Sequence, residues 1–396
     1  VFVRALTLGN FRSWEGFSSD LQTGCTVFIG PNGSGKTNLL EGLGYLATLD
    51  SHRVSADAAL IRTGTTRANV GAAVVNNGRE LSVEVELNSS APNRARVNKS
   101  PVRRTREILG ILKTVLFAPE DLALVRGEPA ERRRFLDELL TTRLPRLAGV
   151  RADYDRVLRQ RSALLKTAAR ASRADLSTLD VWDGHLATHG SVLLAQRLRL
   201  VHDLAPHLAA SYQSIAPSSR EAHLRYRCSL GESLPAELLD PARSPGTDDQ
   251  AVIEAAFLSE LAAARRKELE RGVCLVGPHR DDLDLRLGTE AVKGFASHGE
   301  SWSFALALRL ASFALLREDG TDPVLLLDDV FAELDRPRRA ALAKAAGAAE
   351  QVLITAAVAE DVPEELDACE IGVEMVGGED GRTSRTVAIE AEGWEQ

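Results

Sequence analysis

The sequence predicts an α/β fold built around a phosphate-binding loop and interrupted by a helical insertion. Gly30-Pro31-Asn32-Gly33-Ser34-Gly35-Lys36-Thr37 matches GxxxxGK[ST], with an apolar strand before it and an amphipathic helix after it. Far downstream, Val324-Leu325-Leu326-Leu327-Asp328-Asp329 is a buried-type strand that ends in two acids. Between these landmarks apolar residues recur at helical spacing over a long stretch.

Taken in order, residues 3–8 alternate and residues 26–29 are apolar, each bounded by glycine or asparagine, so both read as strands. A helix starts near Lys36, and Leu39, Leu40, Leu43 and Leu46 give it one apolar face. Residues 70–75 and 81–87 flank Asn76-Asn77-Gly78-Arg79, a hairpin signal. The pattern then turns helical. Val150, Tyr154, Val157, Leu158, Leu165 and Ala168 form one stripe. Trp182, Leu186, Val192, Leu193, Leu200, Val201 and Leu204 form a second, which Pro206 is expected to kink or end. With the polar residues 172–178 between them, the stripes predict a short antiparallel helix pair. Residues 240–246 read as a loop, 251–271 as a helix, 273–276 as a strand, and Leu283, Leu285 and Leu287 as another. The expected division is residues 1–118 as the N-terminal, β-rich part of a nucleotide-binding head, 119–250 as an inserted helical domain, and 251–396 as the C-terminal part of the head.

The 396 residues are 44% apolar and 26% charged, an ordinary globular make-up with room for two or three domains. Cys25, Cys228, Cys274 and Cys369 are scattered and form no CxxC pair, which disfavours disulfide and zinc frameworks. The chain opens Val1-Phe2-Val3-Arg4, without the plan of a signal peptide, and no run approaches a membrane span. A reduced, cytoplasmic protein without a membrane partner is the expectation. The net charge of -8 is unevenly spread: residues 94–173 carry twenty basic and nine acidic residues, +11 in all, leaving -19 elsewhere. Such a segment is either a solvated face of intrahelical ion pairs or a polyanion-binding face.

In a phosphate loop the glycines let successive amides turn toward the phosphates and the helix N-terminus adds positive potential. Lys36 can reach the β/γ oxygens, the Thr37 hydroxyl can ligate Mg²⁺, and Asp328 is the metal-side carboxylate at its strand's end. Asp329 can position or deprotonate the attacking water. Lys36, Asp328 and Asp329 are therefore the candidate catalytic set, and Gly30 to Thr37 with Asn38 the candidate nucleotide-binding set. The pair of motifs implies hydrolysis of a nucleoside triphosphate with Mg²⁺. Asn98-Lys99 is followed by Ser100-Pro101, so the guanine element N-K-x-D is lacking and a GTPase is disfavoured. His185 and His189 have i, i+4 spacing, but Leu186 replaces the glutamate of HExxH.

Phe295-Ala296-Ser297-His298-Gly299-Glu300, just before a helix over residues 304–316, resembles the ABC-type signature, and Ala332-Glu333-Leu334-Asp335 resembles the D-loop. The whole chain is similar to the SMC-like ABC ATPases and, within them, to the RecF family. That likeness rests on Leu6-Thr7-Leu8-Gly9-Asn10-Phe11-Arg12-Ser13-Trp14, the phosphate loop with Asn38-Leu39-Leu40-Glu41, Phe117-Ala118-Pro119-Glu120-Asp121-Leu122, Gly127-Glu128-Pro129, Arg132-Arg133-Arg134-Phe135-Leu136-Asp137 and Gly277-Pro278-His279-Arg280-Asp281-Asp282-Leu283. The resemblance implies an ABC-type ATPase head and a head-to-tail homodimer formed on ATP, in which Ser297, Gly299 and Glu300 meet the partner's nucleotide in trans and Asp335 crosses the interface. It places Arg12 near the adenine, as a stacking cation or a plain surface arginine, and Arg132, Arg133 and Arg134 in a basic element that is a candidate DNA contact. It also implies duplex, gapped and single-stranded DNA as ligands, RecR, RecO and RecA as partners, and a role in recombinational repair, replication and the SOS response to DNA damage.

Several residues depart from the pattern. Glu300 stands where the signature usually ends in glutamine, Asp329 replaces the usual glutamate, and residues 352–356 lack a switch histidine. No residue near 117–121 is identifiable as the Q-loop glutamine. Weak, DNA-stimulated hydrolysis serving as a timer is the natural expectation. Two rivals remain, a DNA clamp that binds ATP without significant hydrolysis and, less well supported, a transporter ATPase subunit. A nuclease of the overcoming-lysogenization type would need a further domain.

Overall fold

The computed structural model describes residues 1–169, 177–240, 243–246, 249–378 and 381–387. The chain divides into two compact units, the first made of Val1–Leu122, Ser214–Pro217 and Ala305–Gln396, the second of Ala123–Gln213 and Ser218–Phe304.

Two six-stranded sheets build the first unit. One is antiparallel throughout, in the order Trp14–Asp20, Phe2–Phe11, Arg67–Asn76, Arg79–Asn88, Arg94–Val97, Ser100–Pro101. Its hairpin closes where expected, with Asn76 opposite Arg79 and both intervening residues, Asn77 and Gly78, at positive φ. That two-residue turn suits the right-handed twist of the flanking strands. The other sheet runs Gly381–Val387, Cys369–Gly378, Gly24–Ile29, Gln351–Ala356, Val324–Asp328, Thr114–Phe117, parallel except for the hairpin at its edge. The interior strands Val324–Asp328 and Gln351–Ala356 are buried along their whole length, as their unbroken apolar runs require. The phosphate-loop helix Lys36–Thr48 buries Leu39, Leu40 and Leu43 in a core shared by both sheets. Gly42 permits the close approach, because a Cβ there would lie 2.9 Å from Leu8 Cδ2.

The second unit is helical with a three-stranded antiparallel sheet, ordered Glu290–Ala291, Asp282–Leu287, Ala222–Arg227. The expected helix pair is present as Leu147–Ala168 and Ser177–Ile215. Tyr154 faces Gly190, Arg161 pairs with Asp183, and Leu165 clusters with Leu179, so one number falls as the other climbs and the helices run antiparallel. Asp249–Arg271 packs as a third helix, with Phe257 against Gly190, where a Cβ would meet its ring at 2.5 Å. The linker read at 172–178 lies largely outside the described residues, as do 241 and 242 of the loop read at 240–246.

The structure differs from the sequence reading at two places. The helix Ser177–Ile215 does not end at Pro206, because Leu204, Leu208 and Tyr212 on either side are fully buried and outweigh the lost hydrogen bond. Residues 273–276 are not a strand: Val273 N donates to the Glu268 carbonyl, Leu275 N donates to Glu268 Oε1, and the Cys274 carbonyl accepts from Arg280, so these polar groups find partners outside a ladder. The chain passes between the two compact units at Leu122/Ala123 and Phe304/Ala305, among other points. Residues 251–304 lie in the second unit, where Asp282–Leu287 pairs with Ala222–Arg227 and Asp282 binds Arg132.

Candidate nucleotide site

The loop between Gly24–Ile29 and Lys36–Thr48 is shaped by what its glycines leave out. A Cβ at Gly30 would lie 1.9 Å from the Val373 carbonyl oxygen, and one at Gly35 would lie 2.2 Å from Ser384 Oγ. Gly33 and Gly35 also take φ of +82° and +103°, which side chains rarely adopt. Beneath the loop Ser384 Oγ donates to the Ser34 carbonyl at 2.6 Å and shares a 2.6 Å hydrogen bond with Ser13 Oγ, which accepts from Asn38 Nδ2 at 2.8 Å. Trp14 Nε1 donates to the Gly35 carbonyl at 3.0 Å.

Lys36 is buried, and its ammonium donates to the Gly30 and Pro31 carbonyls at 2.6 and 3.1 Å. Burial holds its pKa below the usual lysine value, against the attraction of Asp329 and Asp328. Ser34 Oγ is buried with no hydrogen-bond partner among the described residues. Asp328 ends its buried strand with Oδ1 accepting from Thr37 Oγ1 at 2.8 Å and from Thr355 Oγ1 at 2.7 Å. Burial pushes its carboxyl up to about 6. Thr355 also accepts from the Asp329 amide at 2.9 Å, so one hydroxyl fixes both acids. Asp329 takes φ of +48° and lines a cavity of about 320 Å³ together with Asn32, Gly33, Pro119 and Phe331.

This donor set fits a magnesium–triphosphate pair. Among the described residues, the unsatisfied Ser34 hydroxyl, a cation hydrogen-bonded by its own loop and a buried carboxylate beside a threonine hydroxyl are the complements of phosphate oxygens and a hard cation. Thr37 and Asp328 would hold the metal, and the loop amides with Lys36 the phosphates.

Known proteins carry the same plan. The model of the RecF/RecN/SMC N terminal domain family matches residues 2–379. A DNA replication and repair protein RecF from Rhodococcus erythropolis is 66% identical across 98% of this chain and 97% of that protein. The chain belongs to the RecF family. A solved structure of the recombination mediator protein RecF with ATPrS, in the RecFOR pathway, superposes with a TM-score of 0.84 at 25% identity, covering 98% of both chains. An Smc head bound to the C-winged helix domain of ScpA matches with a TM-score of 0.53 at 16% identity over 98% of both chains and shares the fold. The architecture is thus the ABC ATPase head of RecF and SMC proteins.

Within this RecF-family fold the other sequence-read residues are placed as follows. Arg12 is bound to the buried carboxylate of Glu41, with Nε and Nη2 at 2.9 and 2.6 Å, and donates to the Ala59 carbonyl. Ser297 and Glu300 form a reciprocal cap at the start of His298–Glu318, in the second unit. Asp335 caps the helix Arg336–Gly347 by accepting from the Arg338 amide at 3.1 Å. Arg132 is 6% exposed, and its guanidinium binds both oxygens of Asp282 and the carbonyls of Leu124 and Gly127. Arg133 donates to the Asp281 carbonyl at 2.8 Å, and Arg134 pairs with Glu138 at 2.8 Å. Glu128 pairs with Lys293.

Sequence reasoning missed Thr355, Ser13 and Ser384. Thr355 follows an apolar run as a strand-end hydroxyl, a signal that was there to read. Ser384 lies 350 positions from the carbonyl it binds, and nothing in its local pattern marks it. Among the described residues no helix is long and apolar enough to cross a membrane, and no group of three or more His, Cys, Asp or Glu residues is placed to hold a metal.

Proposed function

We propose that this chain is an ATP-dependent DNA-binding protein of recombinational repair, which dimerises on ATP and hydrolyses it slowly as a timer. The observation that carries the reading is the 2.8 Å hydrogen bond from Thr37 to Asp328, which joins the phosphate loop to the acidic strand end across 291 residues of sequence. When bound, Mg²⁺ neutralises the β/γ phosphate oxygens. Lys36 adds a desolvated positive charge, and Asp329 accepts the proton of the attacking water. Ser297 and Gly299 of a second copy complete the site from the other side. The shorter carboxylate at 329, and a threonine at 355 engaged with both acids, favour slow turnover.

The relatives' names extend the reading to DNA replication and repair and to the RecFOR pathway. We infer RecR and RecO as partners, RecA loading at gapped DNA as the outcome, action in the SOS response, and the cytoplasm as the location. Phosphate release with and without duplex or gapped DNA, set beside ATP-driven dimerisation, tests this. Asp329→Asn is expected to dimerise on ATP yet release phosphate more slowly, whereas Asp328→Asn loses Mg²⁺ dependence. Dimerisation with no phosphate release in the wild type would replace the timer with a clamp that binds ATP without hydrolysing it. Equal loss of nucleotide binding in both variants would overturn the assigned roles.

A further inference from the structure

The start of His298–Glu318 holds an unusual charge. Ser297 N donates to Glu300 Oε2 at 2.9 Å, and Glu300 N donates to Ser297 Oγ at 3.2 Å, a reciprocal cap that fixes the serine's rotamer. Ser297 Oγ accepts in this cap, its hydroxyl also hydrogen-bonds the Glu300 carboxylate, and the residue is exposed. The device puts a carboxylate three residues from a hydroxyl meant for phosphate. Glu300 is held ionised below the ordinary glutamate range, first by the Ser297 amide and then by Arg220. A triphosphate approaching that helix start meets a like charge, and like charges brought together at an interface repel strongly.

The sheet of the second unit supplies the remedy. Arg220 Nη2 donates to Glu300 Oε1 at 3.1 Å, while Nη1 binds Glu290. Arg220 leads into the strand Ala222–Arg227 and Glu290 begins Glu290–Ala291, so the cation is placed by the sheet rather than by the helix it serves. Both Arg220 and Glu300 are partly exposed, at 41% and 30%, and an ion pair of that exposure adds little to folding stability. Its consequence is felt by an incoming anion.

We propose that Arg220 is a positioning residue of the signature, which neutralises Glu300 so that Ser297 can receive the γ-phosphate of a nucleotide held by a second copy of this chain. The proposal rests on the trans arrangement argued above. It is tested by dimerisation of the full chain with ATP and Mg²⁺, followed by analytical ultracentrifugation at low and high salt. Arg220→Ala is expected to weaken dimerisation on the order of tenfold at low salt and less at high salt, because ions screen the exposed carboxylate. Arg220→Lys, which keeps the charge, stays near wild type. Arg220→Ala combined with Glu300→Gln regains most of the loss, a rescue that a merely structural arginine would not show. Unchanged dimerisation of Arg220→Ala at low salt, or a double variant no better than the single one, overturns the proposal. Ser297→Arg separates the two readings: if it dimerises like wild type, the signature does not meet the nucleotide and the trans arrangement itself falls.

Discussion

Lys36 in the first unit and Arg132 in the second are almost equally hidden, at 3% and 6% exposure, yet their surroundings are opposite. The ammonium of Lys36 is held by two carbonyls of its own loop, and among the described residues it has no ion-pair partner. The guanidinium of Arg132 is spent on both oxygens of Asp282 and on two carbonyls. The same contrast runs through each unit. In the first, Ser34 Oγ has no partner among the described residues and Asp328 is pushed toward its neutral form by burial. In the second, Arg161 is closed by Asp183 and Glu268, and Arg197 by Asp137, Tyr226 and the Pro278 carbonyl. A buried charge with no directly bonded counter-charge is an unfinished site, and one fully matched is architecture.

The largest expected effect comes from breaking the unfinished site. Lys36→Met leaves the loop shape to its glycines but removes the charge on the β/γ phosphates. ATP affinity, measured by calorimetry, is expected to fall by about a hundredfold or more, with dimerisation on ATP lost and the melting temperature of the nucleotide-free protein little changed. A variant that still binds ATP as wild type does would show that Lys36 is architecture after all.

Next in size, Arg132→Ala should act on folding rather than on nucleotide. It strands Asp282 and two carbonyls, and removing one partner of a buried pair costs about 3 kcal/mol or more. Urea unfolding followed by a probe in the second unit would register it, while ATP affinity stays near wild type.

These two residues also mark how far the sequence could be read. The phosphate loop, the acidic strand end and the helix pair were legible because each follows a local rule: glycines at fixed spacing, an unbroken apolar strand, a helical stripe. The +11 segment was not legible in the same way, since a list of arginines carries no information about what lies across the fold from them. Asp282 is 150 residues from Arg132, and Glu268 is 107 from Arg161. Residues 273–276 failed for a related reason: their apolar character suggested a strand, but Glu268 and Arg280 satisfy their backbone from outside the segment.

A third test sharpens the contrast through pH. His279 is packed beneath Tyr154, whose hydroxyl lies 2.7 Å from Nδ1, and burial lowers its pKa to about 4, with Arg280, Arg133 and Arg161 acting in the same direction. The unfolded chain, with an ordinary histidine near 6.5, takes the proton first as pH falls. The contribution of His279 is therefore complete above pH 6.5 and is lost as pH drops toward 4, by up to roughly 3 kcal/mol. His279→Gln is expected to flatten the pH dependence of second-unit unfolding across that window. An unchanged slope would mean that the imidazole is wetter than its packing implies.

The smallest effect is expected where the basic segment had suggested the largest DNA contribution. Arg133 and Arg134 are half-buried, one donating to the Asp281 carbonyl and the other to Glu138 one helical turn away. A surface i, i+4 pair is worth only a few tenths of a kcal/mol, so stability barely reports on Arg134. DNA does discriminate, because each phosphate contact contributes nearly one unit to the slope of log K against log salt. Two genuine contacts would lower that slope by about two in the doubly substituted Arg133→Ala, Arg134→Ala chain, weakening all sequences alike. Side chains already committed to Asp281 and Glu138 must surrender those bonds before they reach a phosphate, so the expected change is less than one. Titration of duplex DNA with ATP at several salt concentrations gives the answer: a drop of two would show that these arginines leave their intramolecular partners when the dimer closes on DNA, which would place them with Lys36 as charges held in readiness.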